Sequence, residues 1–518
     1  RWTEAAGMQD LGTLQGGANS TAFGVNAVGD VVVGEADNGR TDVNGNRIYR
    51  AFRWSEAKDK MEDLGTLAGD NSKATAVNAT GNVVVGSSNY KAGDSLLRHA
   101  VRWIEVDGTM KIEDLGTLGG DLSAASAVNA KGDVVVGSSA LAGNMQYRAF
   151  RWSAAGGMQS IEDWLAAYGI IVKGPNTLLA TGVNADGSAV FGQLDNGHGF
   201  LARASGMVDV PEFNAGLYRV ANSALLAIND ADLVMHGAHG NPMRTLLPVG
   251  RASFWSAGDI GKQQHGVYDS KQGVAEIGYG YRPSPALQFN VALGRSYNNA
   301  ATGLGGETRA RSTYVLPEFI LSTPDSSTKT SLSIYYGQGD LRIDRAYLNA
   351  GNLTHAYSKP DTETLGARVR LDWLDAITVG KTSLTPYASL TYMQSRMDGY
   401  TELGNAFPVQ WNKRREHATT ARVGIDAVRT VNDTISVLAN LEVAHRVENQ
   451  GSISSGELLG AGGYAFGFSG QQLKQSWLRA GLGLEAKVGK GIAALTLNAT
   501  TQGESPAYWL AANYRWVF

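Results

Sequence analysis

The chain has 518 residues, a formal net charge of -3, 65 glycines, 12 prolines and no cysteine. Without thiols it can form no disulfide, thiolate metal site or cysteine nucleophile, and nothing in its near-neutral total charge argues for nucleic acid or an acidic lipid surface as a partner; no nucleic-acid partner is expected. It is too poor in proline for a collagen-like or disordered chain, and no stretch approaches the roughly 18 apolar residues of a transmembrane helix.

The sequence opens on RWTEAAGMQDLGTL, without a Met and inside a motif that recurs later. A processed or truncated chain is therefore expected, and its start carries no information on export. The motif returns as MEDLGTLAGD at Met61 and IEDLGTLGGD at Ile112. Each copy precedes a second motif: FGVNAVGDVVVG at Phe23, TAVNATGNVVVG at Thr75 and SAVNAKGDVVVG at Ser126, with a worn fourth copy, TGVNADGSAVFG, at Thr181. A short apolar and basic strand accompanies them: RAFRW at Arg50, HAVRW at His99, RAFRW at Arg148 and GFLAR at Gly199.

The period of about 50 residues lies in the range of propeller blades. Four strand-like pieces per unit (the Trp strand, DLGTL, AVN and VVVG) joined by glycine-rich turns describe a blade, with a β-solenoid of long rungs as the alternative. Trp2, Trp54, Trp103 and Trp152 are expected in the core between units. Asn26, Asn78, Asn129 and Asn184 are expected to satisfy turn backbone. In the loop from Asp37, the alternation of Asp42, Asn44 and Asn46 echoes a calcium loop without its distal Glu, and a polar turn is the simpler reading. This order of motifs, over roughly Arg1 to Arg203, resembles the HAF-type extracellular repeats. The resemblance implies an exported, β-rich repeat domain.

The segment Asn214 to Gly237 follows. Ala215, Tyr218, Ala221, Leu225 and Ile228 recur at helical spacing, interrupted by Ser223, Asn229 and Asp230. It reads as an amphipathic helix, either interdomain or lying in a pore as a plug.

From about Arg251 the pattern changes to alternation at period two. Ala367, Val369, Leu371 and Trp373 oppose Arg368, Arg370 and Asp372; Ala421, Val423, Ile425 and Ala427 oppose Arg422 and Asp426. Glu442, Arg479, Glu485 and Arg515 likewise sit on polar faces. Twelve strands are expected, near 249–258, 273–282, 286–297, 309–322, 328–338, 363–375, 382–395, 418–430, 433–446, 474–488, 491–501 and 507–518. Tight joins such as RPSP, TPDSS and GKG alternate with long stretches at 339–362, 395–417 and 446–474. Short turns at one end and long loops at the other are the topology of a transmembrane barrel, with its apolar face on lipid and its charges in the lumen. The predicted lumen charges are Arg368, Arg370, Asp372, Arg422, Asp426, Glu442, Arg479, Glu485 and Arg515. The last strand, YWLAANYRWVF, ends on Phe518 and would pair with the first to close the sheet.

The order of parts resembles a type Va autotransporter. A repeat passenger (1–205) precedes a linker and helix (206–248) and a C-terminal twelve-stranded domain (249–518) containing LTPYASLTY at Leu384 and the terminal YRWVF. The fold expected is all-β: a twelve-stranded antiparallel transmembrane β-barrel with a pore-spanning α-helix, preceded by blade-like repeats. The resemblance implies a Gram-negative outer-membrane barrel that translocates its own passenger to the cell surface. Tyr218, Ala221, Leu225 and Ile228 would lie on the pore helix. Leu510, Ala512, Tyr514, Trp516 and Phe518 would form the signal read by the barrel assembly machinery.

Outer-membrane lipid, that machinery, periplasmic chaperones and an unknown surface or host ligand are the implied partners of a monomer without cofactor. A passenger for binding or adhesion is expected. The alternatives are a surface enzyme whose catalytic segment lies outside this chain, and a porin-like channel. The junction lacks the Asn-Asn signature of self-cleaving members, so no cleavage site is assigned. His236-x-x-His239 lacks a third metal ligand, GFSGQ at Gly467 lacks nucleophile-elbow spacing, GAGGYAFG at Gly460 lacks the strand-to-helix context of a phosphate loop, and KRR at Lys413 reads as a loop or lumen-mouth cluster.

Overall fold

The computed structural model describes residues 1–91, 97–237, 243, 245–264, 269–325, 327–404, 406–460 and 464–518. It divides into two compact units: Arg1–Asn214 with Leu348–Leu353 and Gly460–Gly463, and the remainder.

Among the described residues of the N-terminal unit, the repeats fold as four antiparallel meanders of four strands each. The first comprises Ser20–Val25, Val31–Thr41, Arg47–Ser55 and Lys60–Asp63. The second comprises Ser72–Val77, Val83–Asn89, Arg98–Val106 and Thr109–Asp114. The third comprises Gly119–Val128, Val134–Leu141, Tyr147–Ser153 and Gly157–Ser160. The fourth comprises Thr177–Val183, Ala189–Leu194, Gly199–Arg203 and Gly206–Asp209. One parallel pair, Leu122 with Arg98, links the second sheet to the third.

Each meander buries one face against its predecessor. Trp103 shares a buried cluster with Val31 and Val33 of the first meander, and Trp152 one with Val83 and Val85 of the second. Trp54 clusters with Leu14, on the segment before its own meander. Trp2 departs from expectation: it is 65% exposed, on a two-residue strand that pairs only with Gly7–Met8 among the described residues. DLGTL is also not a strand throughout. The ladder stops at Asp63, whose carboxylate accepts the Gly65 N–H at 2.8 Å while Gly65 takes φ of 75°, turning the chain out of the sheet. Asp114 and Gly116 repeat this turn at 2.8 Å.

The asparagines set the register of the array. Asn129 Oδ1 accepts the Val134 N–H at 3.0 Å, and its amide donates to Asp133 at 2.7 Å. Asn26, Asn78 and Asn184 take their own fifth-following N–H in the same way. At Gly132, a β-carbon would stand 2.6 Å from Val83 Cγ2 of the preceding meander, so glycine permits the turns to stack. Asp42 accepts the N–H groups of Asn44 and Asn46 at 2.9 and 2.8 Å, forming a closed polar turn.

The second unit is a closed, twelve-stranded antiparallel barrel with a helix inside. Its strands are β1 (Ala252–Gln263), β2 (Ser270–Ser284), β3 (Leu287–Gly303), β4 (Gly306–Ser322), β5 (Thr328–Asn349) and β6 (Asp361–Trp373). They continue with β7 (Thr382–Met397), β8 (Arg414–Thr430), β9 (Ile435–Arg446), β10 (Ser476–Val488), β11 (Gly491–Thr500) and β12 (Tyr508–Val517). β12 closes the ring on β1, in register from Ser253–Val517 to Lys262–Tyr508. The stretches expected to be loops carry more structure than their composition suggests. β5 runs on to Asn349 and folds back through Asn352–Ser358. Tyr400–Thr401, Val409–Trp411, Ser454–Leu458 and Tyr464–Phe468 form a four-stranded sheet at the same end.

A helix-filled polar interior as the candidate functional site

The interior helix is continuous over 27 residues, as Val210–Ala221, a tighter turn at Asn222–Ala224, and Leu225–His236. It begins earlier than the apolar spacing indicates, because Asp209 accepts the Glu212 N–H at 3.2 Å and caps the first turn, where Pro211 is tolerated. Ala221, Leu225 and Ile228 are buried, Tyr218 is half-buried with its ring 6.1 Å from that of Phe468, and Ala215 is exposed.

The helix is held mainly through polar groups. Its final carbonyls, Met235 and His236, accept from Arg368 and Arg479 on the wall, the latter at 2.8 Å. Cations at this end complement both the unpaired carbonyls and the helix dipole. One turn earlier, Asp232 pairs with Arg422 at 2.9 Å. Arg422 also reaches Glu442 at 2.7 Å and Glu504 at 2.8 Å, and lies 5.5 Å from the Trp477 ring. Tyr387 donates to Glu442 at 2.7 Å. Asp230 is held by neutral donors: Gln272 at 2.9 Å, Asn298 at 3.0 Å and Ser296 at 3.3 Å. Nearer the long-loop end, the Ala221 carbonyl accepts from Arg414 and from Ser454 at 3.0 Å.

Other wall charges pair among themselves. Arg368 meets Glu318 at 3.1 Å; Arg370 bridges Asp372 and Asp426 at 2.7 and 2.8 Å and lies 3.5 Å over the Tyr387 ring. Arg515 is 7% exposed on the inner face of β12. Asp426 and Glu485 are only half-buried. They border a polar cavity of about 300 Å³ beyond the helix end, lined also by Gly237, Lys329, Arg370 and Arg479. Further along, Leu247 bonds Gln288 and Arg282 at 2.8 Å each, and the chain enters β1 at the short-turn end. Leu510, Ala512, Tyr514, Trp516 and Phe518 all point outward, and the last two rings stand 4.8 Å apart.

Sequence reading singled out the wall charges but not their partners Asp232, Glu318 and Glu504. Two aspartates spaced two apart in an apolar helix, Asp230 and Asp232, were the available signal. Arg414 of the KRR cluster turns inward, whereas Lys413 and Arg415 are exposed. Among the described residues no three His, Cys, Asp or Glu side chains cluster as metal ligands; His239 lies outside them.

Residues 254–500 match the autotransporter beta-domain family. No curated protein matches the chain. Among solved structures it is similar to the translocator domain of the autotransporter NalP from Neisseria meningitidis, at 15% identity and a TM-score of 0.45, covering 58% of this chain and 97% of that one. It is also similar to the beta domain of the Bordetella autotransporter Brka, at 16% identity and 0.39, covering 52% and 99%. The toluene transporter TodX of Pseudomonas putida matches at 9% identity and 0.36, covering 55% and 91%. The family match thus falls on the closed twelve-stranded barrel, from β1 to β11.

Proposed function

We propose that this chain secretes and displays itself: the barrel carries the N-terminal repeat unit across the outer membrane and holds it at the cell surface as a binding or adhesion module. The observation that carries this reading is the continuity of chain and anchor. The last repeat strand, Gly206–Asp209, runs directly into the interior helix, and that helix is fixed by Arg368, Arg422 and Arg479. The helix end lies towards β1 while Ala221 meets Arg414 and Ser454 of the long-loop end, so within the barrel the helix runs from the long-loop end to the short-turn end.

The repeat unit is read as HAF-type. Antiparallel pairing within each repeat favours blades over solenoid rungs, which would pair in parallel from one repeat to the next. Barrel assembly machinery and periplasmic chaperones are the partners this route implies. Protease treatment of intact cells tests it. The repeats should be removed while a barrel fragment survives; repeats that resist until the outer membrane is opened would contradict the reading.

A further inference from the structure

The outer face of the barrel is unevenly charged around its long-loop rim. Across β1 to β5, Lys262 stands in register with Lys271, Lys271 with Asn299, Asn299 with Arg309 and Arg309 with Arg342. All five alternate outward with the lipid-facing residues. Arg311 stands one row lower, opposite Tyr297, and Arg295 another row lower, opposite Thr313. Neighbouring strands lie about 4.8 Å apart, so these cations form one sheet-borne patch.

Carboxylates offset only part of it. Glu307 pairs with Arg309, and Asp340 lies 3.6 Å from Arg342 and 3.7 Å from Lys359. Among the described residues no carboxylate forms an ion pair with Lys262, Lys271, Arg295 or Arg311. The next strand, β6, presents Asp361 and Glu363 outward instead, and Arg396 on β7 stands 3.7 Å from Asp398.

The height of the patch gives it meaning. At the short-turn end Tyr281, Phe289 and Phe319 form one outward aromatic row in register. From that row to Lys271, Asn299 and Arg309 is about ten residues on each strand, or roughly 33 Å of strand and about 25 Å along the axis at the usual tilt. That is the thickness of the apolar band, so Lys271 and Arg309 lie where lipid headgroups of the long-loop leaflet begin, with Arg311 about 5 Å and Arg295 about 10 Å below them. Beside them is a depression of about 640 Å³, lined by Ile260, Leu497 and Leu510 together with Lys262, Lys271 and Arg311.

We propose that this sector binds an anionic, phosphate-bearing lipid of the long-loop leaflet, with the phosphates on the cation rows and an acyl chain in the depression. Guanidinium groups present paired donors matched to phosphate oxygens, and basic residues at a headgroup plane attract anionic lipid. The competing account is that these side chains only extend to water.

The test is native mass spectrometry of the delipidated full chain, re-exposed in detergent to equal amounts of lipid A and phosphatidylcholine. Lipid A should be retained in preference. The triple variant Lys271→Ala, Arg309→Ala, Arg311→Ala should weaken retention at least about tenfold. The variant Arg396→Ala, Arg415→Ala, on strands outside the patch, should retain it fully. Millimolar inorganic phosphate should leave the lipid bound. Equal retention by triple variant and parent overturns the proposal, as does displacement by free phosphate, which would mark a simple anion site. Heat-dependent gel mobility reports folding of each variant. If the triple variant does not assemble, Lys262→Gln serves, with an expected loss of about fivefold, and unchanged retention overturns the proposal equally.

Discussion

At the scale of single residues, Arg422 is the centre of the buried network. It faces Asp232 on the helix, Glu442 on β9 and Glu504 in the β11–β12 connection. Burying charges costs several kcal/mol per ion, and removing one partner leaves the others uncompensated, at about 3–5 kcal/mol. Arg422→Met should therefore destabilise the folded barrel far more than Asp232→Asn, which removes one negative charge and keeps two. The temperature at which the heat-modifiable gel band shifts measures both; equal effects would refute this ranking. Which residues face inward is written in the period-two alternation, because a charge on the lipid side costs about 2–4 kcal/mol for Arg at midplane. Which of them meet is not written there. Glu504 and Asp232 reach Arg422 from distant parts of the chain, and only closure of β12 on β1 and insertion of the helix bring them together.

At the scale of elements, the helix and the repeats are stabilised differently. The helix is buried almost all round from Asn222 to His236, so apolar spacing alone located it but misjudged its start and its polar anchors. Deleting residues 214–237 should turn a nearly closed barrel into a conducting pore in planar bilayers; a current equal to that of the intact chain would contradict the plug. In the repeats, Asn129 satisfies the Val134 N–H of its own turn and its amide also bonds Asp133. Asn129→Ala should cost about 1–3 kcal/mol and act mainly on adjoining meanders, because contacts in an array run between neighbours. Limited proteolysis of the full chain should then show new cuts near the third turn, and an unchanged pattern would refute it. The DLGTL segment was misread as a strand because its apolar residues match strand composition. Gly65 and the Asp63 side chain decide for a turn.

At the scale of the whole molecule, the proposed self-display requires a barrel with an outward apolar band, an ion-paired interior and a helix joined to an N-terminal repeat unit to move and then hold its own chain. The strand count and the alternating short and long joins made the barrel legible in the sequence, since both follow from threading a sheet through a bilayer. Packing of successive repeats was legible from the period, whereas the exposure of Trp2 was not. The absence of cysteine permits a direct measurement of sidedness. Lys131→Cys places one thiol in an exposed repeat turn, and Asp433→Cys places one in the exposed short turn between β8 and β9. With a membrane-impermeant maleimide on intact cells, self-display predicts labelling at position 131 and none at position 433 until the outer membrane is permeabilised. Protection of position 131 in intact cells, with labelling only after permeabilisation, would contradict it.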